Sequence, residues 1–487
     1  MSNIAARLLP FRLLAVSLIL LLNWPSSVSA PAATAEDSRP NIMFCLADDW
    51  GYPHAGVYGD PVVRTPTFDR VAHEGALFTD AFSAAPSCTP SRAAILTGQA
   101  PHRLAEGGDL HGFLPARYKV YPDLLEASGY FVGFTRKGWG PGRFEAGGRS
   151  RNPAGPEFPD FAEFLKRLPP GRPFCFWFGS QDPHRPYDMG SGARAGLSPE
   201  LVRVPPYLPD TPEVRSDILD YYVEVERFDN EVGGLLRQLE GAGKLDNTVV
   251  VITGDNGWPF PRSKANLYDS GTRQPFAVRW PAAVRGGRVL DDFVTLADLA
   301  PTFLEAAGLP PPPEMTGRSL LGLLAGSEQP GKRMSAFVER ERHANVRRGD
   351  LGYPSRAIRT ADFLYIRNFR ADRWPAGDPK LYFSVGPFGD CDGSPTKDWI
   401  LSHRSEPDIA RLFHLGFEKR PAEELYDLKK DPYQMTSVAG RPEYAEAQKR
   451  MRGELDRWMR ETADPRATAD DDRWDKYPYF GERASPR

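Results

Sequence analysis

Three short apolar runs, each followed by polar residues, mark the first half of the chain: Asn41–Ala47, Phe174–Gly179 and Thr248–Thr253. Uninterrupted runs of this length are typical of strands that are buried on both faces of a parallel sheet. Between the runs lie patterns with helical periodicity: Phe68–Glu74, Ser91–Thr97, Pro122–Ser128, Phe161–Leu168 and Glu213–Leu239. Strands that alternate with helices predict an open α/β sandwich, whose ligands lie at the carboxyl ends of the strands.

The pattern changes after the proline run Pro310–Pro313. Strand-like stretches then follow one another before a helical pattern, Tyr444–Arg460, and the stretches are Ser335–Glu339, Arg356–Arg359 and Phe363–Arg367. This order predicts a smaller α+β domain over residues 332–464, after a larger domain over residues 39–331. Residues 465–487 form a polar tail whose composition favours partial disorder.

Residues 1–30 have the layout of a secretory signal peptide. Arg7 and Arg12 precede the apolar run Leu13–Leu22, and small residues lead to Ala30. The sequence therefore predicts export, with cleavage near Ala30. A signal anchor is the alternative, but the apolar run is short for a bilayer span, so we expect no stable membrane insertion.

Composition excludes several classes of protein. The 487 residues include 61 Lys and Arg against 64 Asp and Glu, a net charge of -3. The chain lacks the basic stripe of a nucleic-acid-binding protein, so we expect no nucleic-acid partner. Four cysteines are too few for a disulfide framework. The four are Cys45, Cys88, Cys175 and Cys391. Cys45 and Cys175 lie in apolar runs and are predicted to be core residues, whereas Cys88 lies in a polar loop.

The segment Cys88-Thr89-Pro90-Ser91-Arg92, followed by Ala93–Gly98, resembles the signature of the sulfatase family. The resemblance implies that Cys88 is oxidised to formylglycine by a formylglycine-generating enzyme. An aldehyde hydrates to a geminal diol, in which one oxygen attacks sulfur and the other remains to expel sulfate. The alternative interpretation is a loop in which Ser91 caps a helix.

A pair of residues with side-chain oxygen atoms follows each of two apolar runs. Asp48-Asp49 follows the first run and Asp255-Asn256 follows the third, and we call these the acidic pairs. Carboxylate and amide oxygens favour calcium or magnesium over zinc or copper. Each pair on its own is more often a turn. With Cys88 beside them, the sulfatase resemblance implies one Ca²⁺ ion held by these four residues and residue 88.

The resemblance also assigns roles to basic residues. Lys137 and Lys264 match the two positions that bind sulfate, and Arg92 matches the residue that holds the formylglycine oxygens. His184, in Asp-Pro-His-Arg, would contact the sulfate and protonate the leaving oxygen or nitrogen.

One position departs from the family pattern. Where the family usually has a histidine two residues after the first lysine, this chain has Trp139. In the family that histidine helps to deprotonate the diol, so the identity of the base in this chain is open. His111 is a candidate for this base or for a substrate contact, and an ordinary loop residue is the alternative.

The resemblance extends over roughly residues 39–464 and implies an alkaline-phosphatase-like α/β domain with a mixed, mostly parallel sheet. Within the family the chain is most similar to the heparan N-sulfatase, or sulfamidase, branch. The motifs that carry this are Ala47-Asp48-Asp49, Asp182-Pro183-His184-Arg185, Asp255 to Pro261 and Asn266-Leu267-Tyr268. We therefore expect hydrolysis of a sulfate ester or N-sulfate of a sulfated mono- or oligosaccharide.

Two other functions compete with this prediction. A phosphatase or phosphodiesterase of the same superfamily would carry Ser or Thr at position 88 and bind two zinc ions through several histidines. The chain has only 8 histidines. A catalytically inactive carbohydrate-binding protein is the second alternative, and Trp139 is its only support.

Overall fold

The computed structural model describes residues 39–380 and 386–481. The predicted signal peptide lies outside the described residues, and so do the last six residues of the predicted tail. None of the helices in the described ranges is long and apolar enough to cross a membrane.

The larger sheet has eight strands, and their order across the sheet is β3-β4-β1-β5-β6-β2-β7, with β8 also paired to β2. Their bounds are β1 Asn41–Ala47, β2 Ala76–Phe82, β3 Phe131–Arg136, β4 Phe174–Gly179, β5 Thr248–Gly254, β6 Arg273–Arg279, β7 Arg288–Leu290 and β8 Val294–Thr295. Only β6 runs antiparallel to its neighbours β5 and β2. The predicted mixed, mostly parallel sheet is confirmed.

Helices cover both faces of this sheet. In β1, Met43 and Cys45 belong to the apolar core on one face, and Ile42, Phe44 and Leu46 belong to the core on the other. Helices before the second domain are α1 Pro66–Glu74, α2 Cys88–Thr97, α3 Tyr121–Ala127, α4 Phe161–Arg167, α5 Ser191–Arg194, α6 Pro212–Gly241, α7 Asp269–Thr272, α8 Leu299–Ala306 and α9 Leu321–Ala325.

The predicted central strands agree with β1, β4 and β5, but the sequence pattern missed the outer strands. In β2 and β6 the reason is polar interruption. β2 contains Thr79-Asp80, where its side chains are half exposed, and β6 begins at Arg273-Gln274 and ends at Arg279. A strand with only partial apolar character gives no clear periodicity in a single sequence.

The second domain contains a four-stranded antiparallel sheet in the order β12-β11-β10-β9. Its elements are β9 Ser335–Arg340, β10 Ser355–Thr360, β11 Phe363–Asn368, α10 Pro395–His403, α11 Pro407–Phe417, β12 Glu423–Asp427 and α12 Ala445–Glu461. One face packs on α12 through Met451 and Leu455, and the other packs on Phe82 and Tyr268 of the larger domain. The smaller sheet is therefore fixed between its own helix and the larger domain.

A buried ion network joins the two domains. His102 contacts Glu339 at 2.8 Å, and Arg356 lies 2.9 Å from Glu339 and 2.6 Å from Asp464. His102, Glu339 and Asp464 are close enough to hold a metal ion. Because the guanidinium group already lies against both carboxylates, we interpret the group as an ion-pair network.

His102 is expected to make stability depend on pH. Burial lowers its pKa, but the carboxylates of Glu339 and Asp464 together outweigh this effect and raise the pKa above its ordinary value. Its Nδ1 faces Glu339 and its Nε2 lies 3.2 Å from the carbonyl oxygen of Thr462. The protonated ring therefore stabilises the fold below the unfolded pKa of about 6.5, and this contribution is lost as the pH rises through the folded-state pKa.

Melting temperatures at several pH values between about 5.5 and 8.5 test this expectation. The natural protein should lose stability over this window more steeply than the His102→Asn variant, which cannot titrate. His414→Asn replaces an exposed histidine on α11, and its melting temperature should change with pH as steeply as that of the natural protein. Equal slopes for the natural protein and His102→Asn would contradict the prediction.

The segment after α12 folds back over both domains. Trp474 is buried, Arg342 donates to the carbonyl oxygen of Tyr477 at 2.9 Å, and the backbone N–H of Phe480 donates to the carbonyl oxygen of His111 at 2.8 Å. The described part of the polar tail therefore contacts the larger domain directly at a predicted site residue.

Candidate active site

The ends of two neighbouring strands bring the acidic pairs together. β1 and β5 are parallel and adjacent, with Ala47 opposite Gly254, so Asp48-Asp49 lies beside Asp255-Asn256. The backbone N–H of Asp49 donates to Asp255 Oδ1 at 3.0 Å, and Asn256 Nδ2 donates to Asp49 Oδ1 at 2.7 Å. All four side chains are buried. Asp49 has a φ of 71°, in the left-handed region that Asp tolerates better than most residues.

Cys88 lies at the first position of α2, three residues earlier than the predicted helix start at Ser91. The sequence pattern misplaced the start because Pro90 suggests a loop, although proline is tolerated in the first turn of a helix. Cys88 Sγ lies 3.3 Å from Asp48 Oδ1 and 4.0 Å from Asp49 Oδ1. The helix therefore directs its positive end towards the acidic pairs.

Arg92, one turn further along α2, is fully buried. Its Nε donates to Asp255 Oδ2 at 2.8 Å, and its Nη1 donates to the carbonyl oxygens of Lys137 at 2.8 Å and Gly138 at 2.9 Å. These bonds tie α2 to the end of β5 and to the loop after β3. Arg92 therefore fixes the positions of α2, the end of β5 and the loop after β3 relative to one another.

The two predicted sulfate-binding lysines lie on opposite sides of the acidic cluster. Lys137 Nζ donates to Asp48 Oδ2 at 2.5 Å, and Lys264 Nζ donates to Asp49 Oδ2 at 2.7 Å. Burial lowers the pKa of both amines, but the facing carboxylates raise each pKa above its ordinary value. Both lysines are therefore positively charged at neutral pH and can bind an anion.

His184 completes the group from the loop after β4. Its Nδ1 donates to the carbonyl oxygen of Arg185 at 2.6 Å, and its Nε2 lies 3.8 Å from Asp49 Oδ2. The side chain is 37% exposed, unlike the metal-ligand candidates. This exposure suits a group that exchanges protons with a substrate entering from solvent.

The acidic cluster fits a divalent cation. One ligand atom from each of Asp48, Asp49, Cys88 and Asp255 lies within 4.8 Å of the others. The Oδ1 atom of Asn256 is buried and accepts no hydrogen bond from the described residues. Burial raises the pKa of Asp255 to about 6, against the lowering effect of Arg92. A cation would therefore satisfy an orphaned oxygen and compensate a costly buried charge.

His111 and Trp139 line the same open cleft as Lys137, with a volume of about 730 Å³. Trp139 is buried, and its ring has no site that accepts a proton. Burial and then the charges of Lys137 and Lys264 lower the pKa of His111 to about 4. A pKa this far below neutral makes His111 a weak base, which favours the substrate contact of the two roles predicted for it.

Replacing His111 by alanine is therefore expected to raise KM about fivefold and to leave kcat within a factor of about two, since one neutral hydrogen bond contributes about 1 kcal/mol. Steady-state kinetics on a sulfated sugar measure both constants. Exposed His73 on α1 provides a matched control, since His73→Ala should change neither constant. If kcat instead falls about a hundredfold or more, His111 is the base.

Two site residues escaped the sequence analysis because both come from the second domain. His343 follows β9, and its Nδ1 lies 2.8 Å from Ser87 Oγ, next to Cys88. Asp392 precedes α10, and its Oδ2 lies 3.2 Å from Lys264 Nζ. For Asp392 the sequence contains one weak indication of a functional residue, the polar segment Gly389–Gly393 with its two aspartates. Nothing in a single sequence places His343 beside Ser87 or Asp392 beside Lys264.

The mostly parallel sheet, with anion-binding and metal-binding groups at its strand ends, defines a hydrolytic enzyme of the alkaline-phosphatase-like fold. A solved structure in complex with D-glucosamine-2-N,6-O-disulfate has this fold, with a TM-score of 0.61, 21% identity, and coverage of 89% of this chain and 99% of the other. The Sulfatase family profile matches residues 40–141 and 157–309. The chain belongs to the sulfatase family, so it is a hydrolase of sulfate esters or N-sulfates.

Two curated relatives resemble most of the chain. The human N-sulphoglucosamine sulphohydrolase is 30% identical, over 89% of this chain and 93% of its own length. An ulvan-active sulfatase of Formosa agariphila is 29% identical, over 86% of this chain and 75% of its own length. The profile described as N-sulphoglucosamine sulphohydrolase, C-terminal, also matches residues 254–378. The predicted similarity to the sulfamidase branch is confirmed.

Proposed function

We propose that this protein hydrolyses the sulfate ester or N-sulfate of a sulfated carbohydrate, using a formylglycine made from Cys88 and one Ca²⁺ ion. The observation that carries the proposal is the position of Cys88. It lies at the start of a buried helix, 3.3 Å from Asp48, in a group that also contains Lys137 and Lys264. This arrangement places one reactive atom between a cation site and two positive side chains.

The state of the thiol supports conversion of Cys88. Burial raises its pKa well above the ordinary value, and the charge of Asp48 raises it further. A thiol in this setting stays protonated and is a poor nucleophile. Hydrated formylglycine at this position would supply a hydroxyl nucleophile. We propose that a formylglycine-generating enzyme modifies Cys88 before the chain folds around it.

The acidic cluster supports calcium as the ion. The donors are Asp48, Asp49, Asp255 and the amide oxygen of Asn256, and hard oxygen ligands of this kind suit Ca²⁺. Bound Ca²⁺ would supply positive charge that offsets charge on the sulfuryl group. Arg92 already lies against Asp255 and would keep this ligand in position.

The remaining residues act on the substrate. Lys137 and Lys264 would hold the sulfuryl oxygens, and their charges would stabilise the negative charge that develops in the transition state. His184 would donate a proton to the leaving oxygen or nitrogen, because its exposed ring lies beside Asp49. The cleft of about 730 Å³ next to Lys137 gives room for a sugar ring.

The two curated relatives support a carbohydrate substrate, since one is named for ulvan and the other for N-sulphoglucosamine. The competing phosphatase would need further histidine ligands at the acidic cluster, and in the described residues none is among the clustered ligand atoms. We also propose that the protein is exported after cleavage near Ala30.

Two measurements test the proposal. Mass spectrometry of the Cys88 peptide, from protein made with a formylglycine-generating enzyme, should show the formylglycine mass. A panel of sulfated monosaccharides and oligosaccharides should then release sulfate. An unmodified cysteine and no sulfate release would instead support the inactive carbohydrate-binding alternative.

A further inference from the structure

The second domain places a carboxylate beside one of the sulfate-binding lysines. Asp392 lies in the loop between β11 and α10, and its Oδ2 is 3.2 Å from Lys264 Nζ. The same ammonium group donates to Asp49 Oδ2 at 2.7 Å, so Lys264 lies between the metal-ligand candidate and Asp392. Asp392 therefore belongs to the rim of the reaction centre, although it lies far along the chain from the signature motifs.

Asp392 differs from its neighbour Asp390 in how its charge is satisfied. Asp390 lies 2.5 Å from each of Arg340 and Arg347, so it is a structural ion-pair partner. Asp392 Oδ2 is buried and makes no well-aligned hydrogen bond with the described residues. The side chain as a whole is 26% exposed, so the carboxylate lies at the solvent boundary although its Oδ2 atom is covered. Asp392 is thus a carboxylate with unused acceptor capacity at the edge of the site.

Asp392 is also ionised. Burial alone would raise its pKa, but Lys264, followed by His184 and His343, lowers it to about 2. The electrostatic interaction with His184 matters because His184 is the residue proposed to protonate the leaving atom. The negative charge of Asp392 therefore acts on the region where that atom leaves.

We propose that Asp392 is a specificity-determining residue that accepts a hydrogen bond from the nitrogen of an N-sulfated amino sugar and so favours N-sulfates over sulfate esters. The inference rests on the sulfatase function proposed above. It concerns a residue outside the metal, lysine and signature positions.

The chemistry of the two substrates gives the reason. In R–NH–SO₃⁻ the atom joined to sulfur carries a hydrogen, whereas in R–O–SO₃⁻ it has only lone pairs, which a carboxylate repels. Overall, R–NH–SO₃⁻ and H₂O give R–NH₃⁺ and SO₄²⁻. The S–N bond breaks with its electron pair on nitrogen, and one diol oxygen of residue 88 forms the new S–O bond. That oxygen leaves with sulfate when its bond to the diol carbon breaks, water then restores the diol, and nitrogen takes up two protons. Asp392 would stabilise this growing positive charge, which an alcohol leaving group lacks.

The test compares glucosamine N-sulfate with glucosamine 6-O-sulfate, using the full-length, formylglycine-loaded protein. Asp392→Asn should lower kcat/KM for the N-sulfate by about 10- to 100-fold, because a hydrogen bond to a charged group is lost. The value for the 6-O-sulfate should change by less than about threefold. Asp392→Glu should retain part of the preference. Asp398→Asn, which makes the same charge change at an exposed position on α10, should alter neither value.

A binding measurement adds a readout that does not need turnover. Glucosamine, the amine product, should bind the natural protein more tightly than glucose does, and Asp392→Asn should remove most of that difference. An equal fall in both kcat/KM values would overturn the inference, since it would mean that Asp392 only positions Lys264. Unchanged kinetics and binding in Asp392→Asn would overturn it as well. If the natural protein releases sulfate from no substrate, the proposed function fails, while the binding comparison still tests Asp392.

Discussion

Cys88→Ala is expected to lower sulfate release by about 10⁴-fold or more while the protein remains folded. The loss is large because the substitution removes the only atom proposed to form a bond to sulfur. Folding should survive because Cys88 Sγ faces the acidic cluster, not an apolar core. Alanine is also a good residue for the first turn of a helix. Sulfate release and thermal melting are the two measurements.

Cys175→Ala is the matched control for this variant. Cys175 also carries a buried thiol, but that thiol packs in the apolar core against the larger sheet. Its loss should lower the free energy of unfolding by about 1 to 2 kcal/mol and leave turnover unchanged. If Cys88→Ala unfolds, or if it turns over like the natural protein, Cys88 is not the nucleophile precursor.

Removal of the metal ion is expected to have the second largest effect. Asp255→Asn keeps the size of the side chain but removes one negative charge from the cluster and weakens its bond to Arg92. Activity should fall by about 10²- to 10³-fold, and the rise in melting temperature on adding Ca²⁺ should disappear. Asparagine is preferred to alanine, because alanine would remove the carboxylate that the buried Arg92 Nε contacts, at a cost of about 3 to 5 kcal/mol.

Asp298→Asn gives the control for the calcium experiment. Asp298 is a buried carboxylate that accepts hydrogen bonds from the backbone N–H groups of Thr295 and Arg318, outside the acidic cluster. This variant should melt at a lower temperature yet respond to Ca²⁺ as the natural protein does. Full activity of the natural protein in excess chelator would rule out a required ion.

Several of the residues that the sequence identified lie together because they follow a buried strand or begin a helix. Asp48 and Asp255 illustrate this, since parallel strands bring their carboxyl ends to one edge. Asp392 and His343 could not be predicted in the same way. They reach the site through the packing of the second domain on the larger one, and no periodicity or motif records that contact. β2 and β6 were missed for a different reason, namely their polar interruptions.

The return of the chain to His111 has a consequence for how the enzyme is made. The N–H of Phe480 bonds to the carbonyl oxygen of His111, and the ring of Tyr479 lies 5.0 Å from the imidazole. A polypeptide that stops before residue 477 contains every metal and lysine position but lacks these two contacts to His111, a residue of the cleft wall. The placement of His111 thus depends on translation through Phe480, and a chain that ends before this residue should bind substrate more weakly.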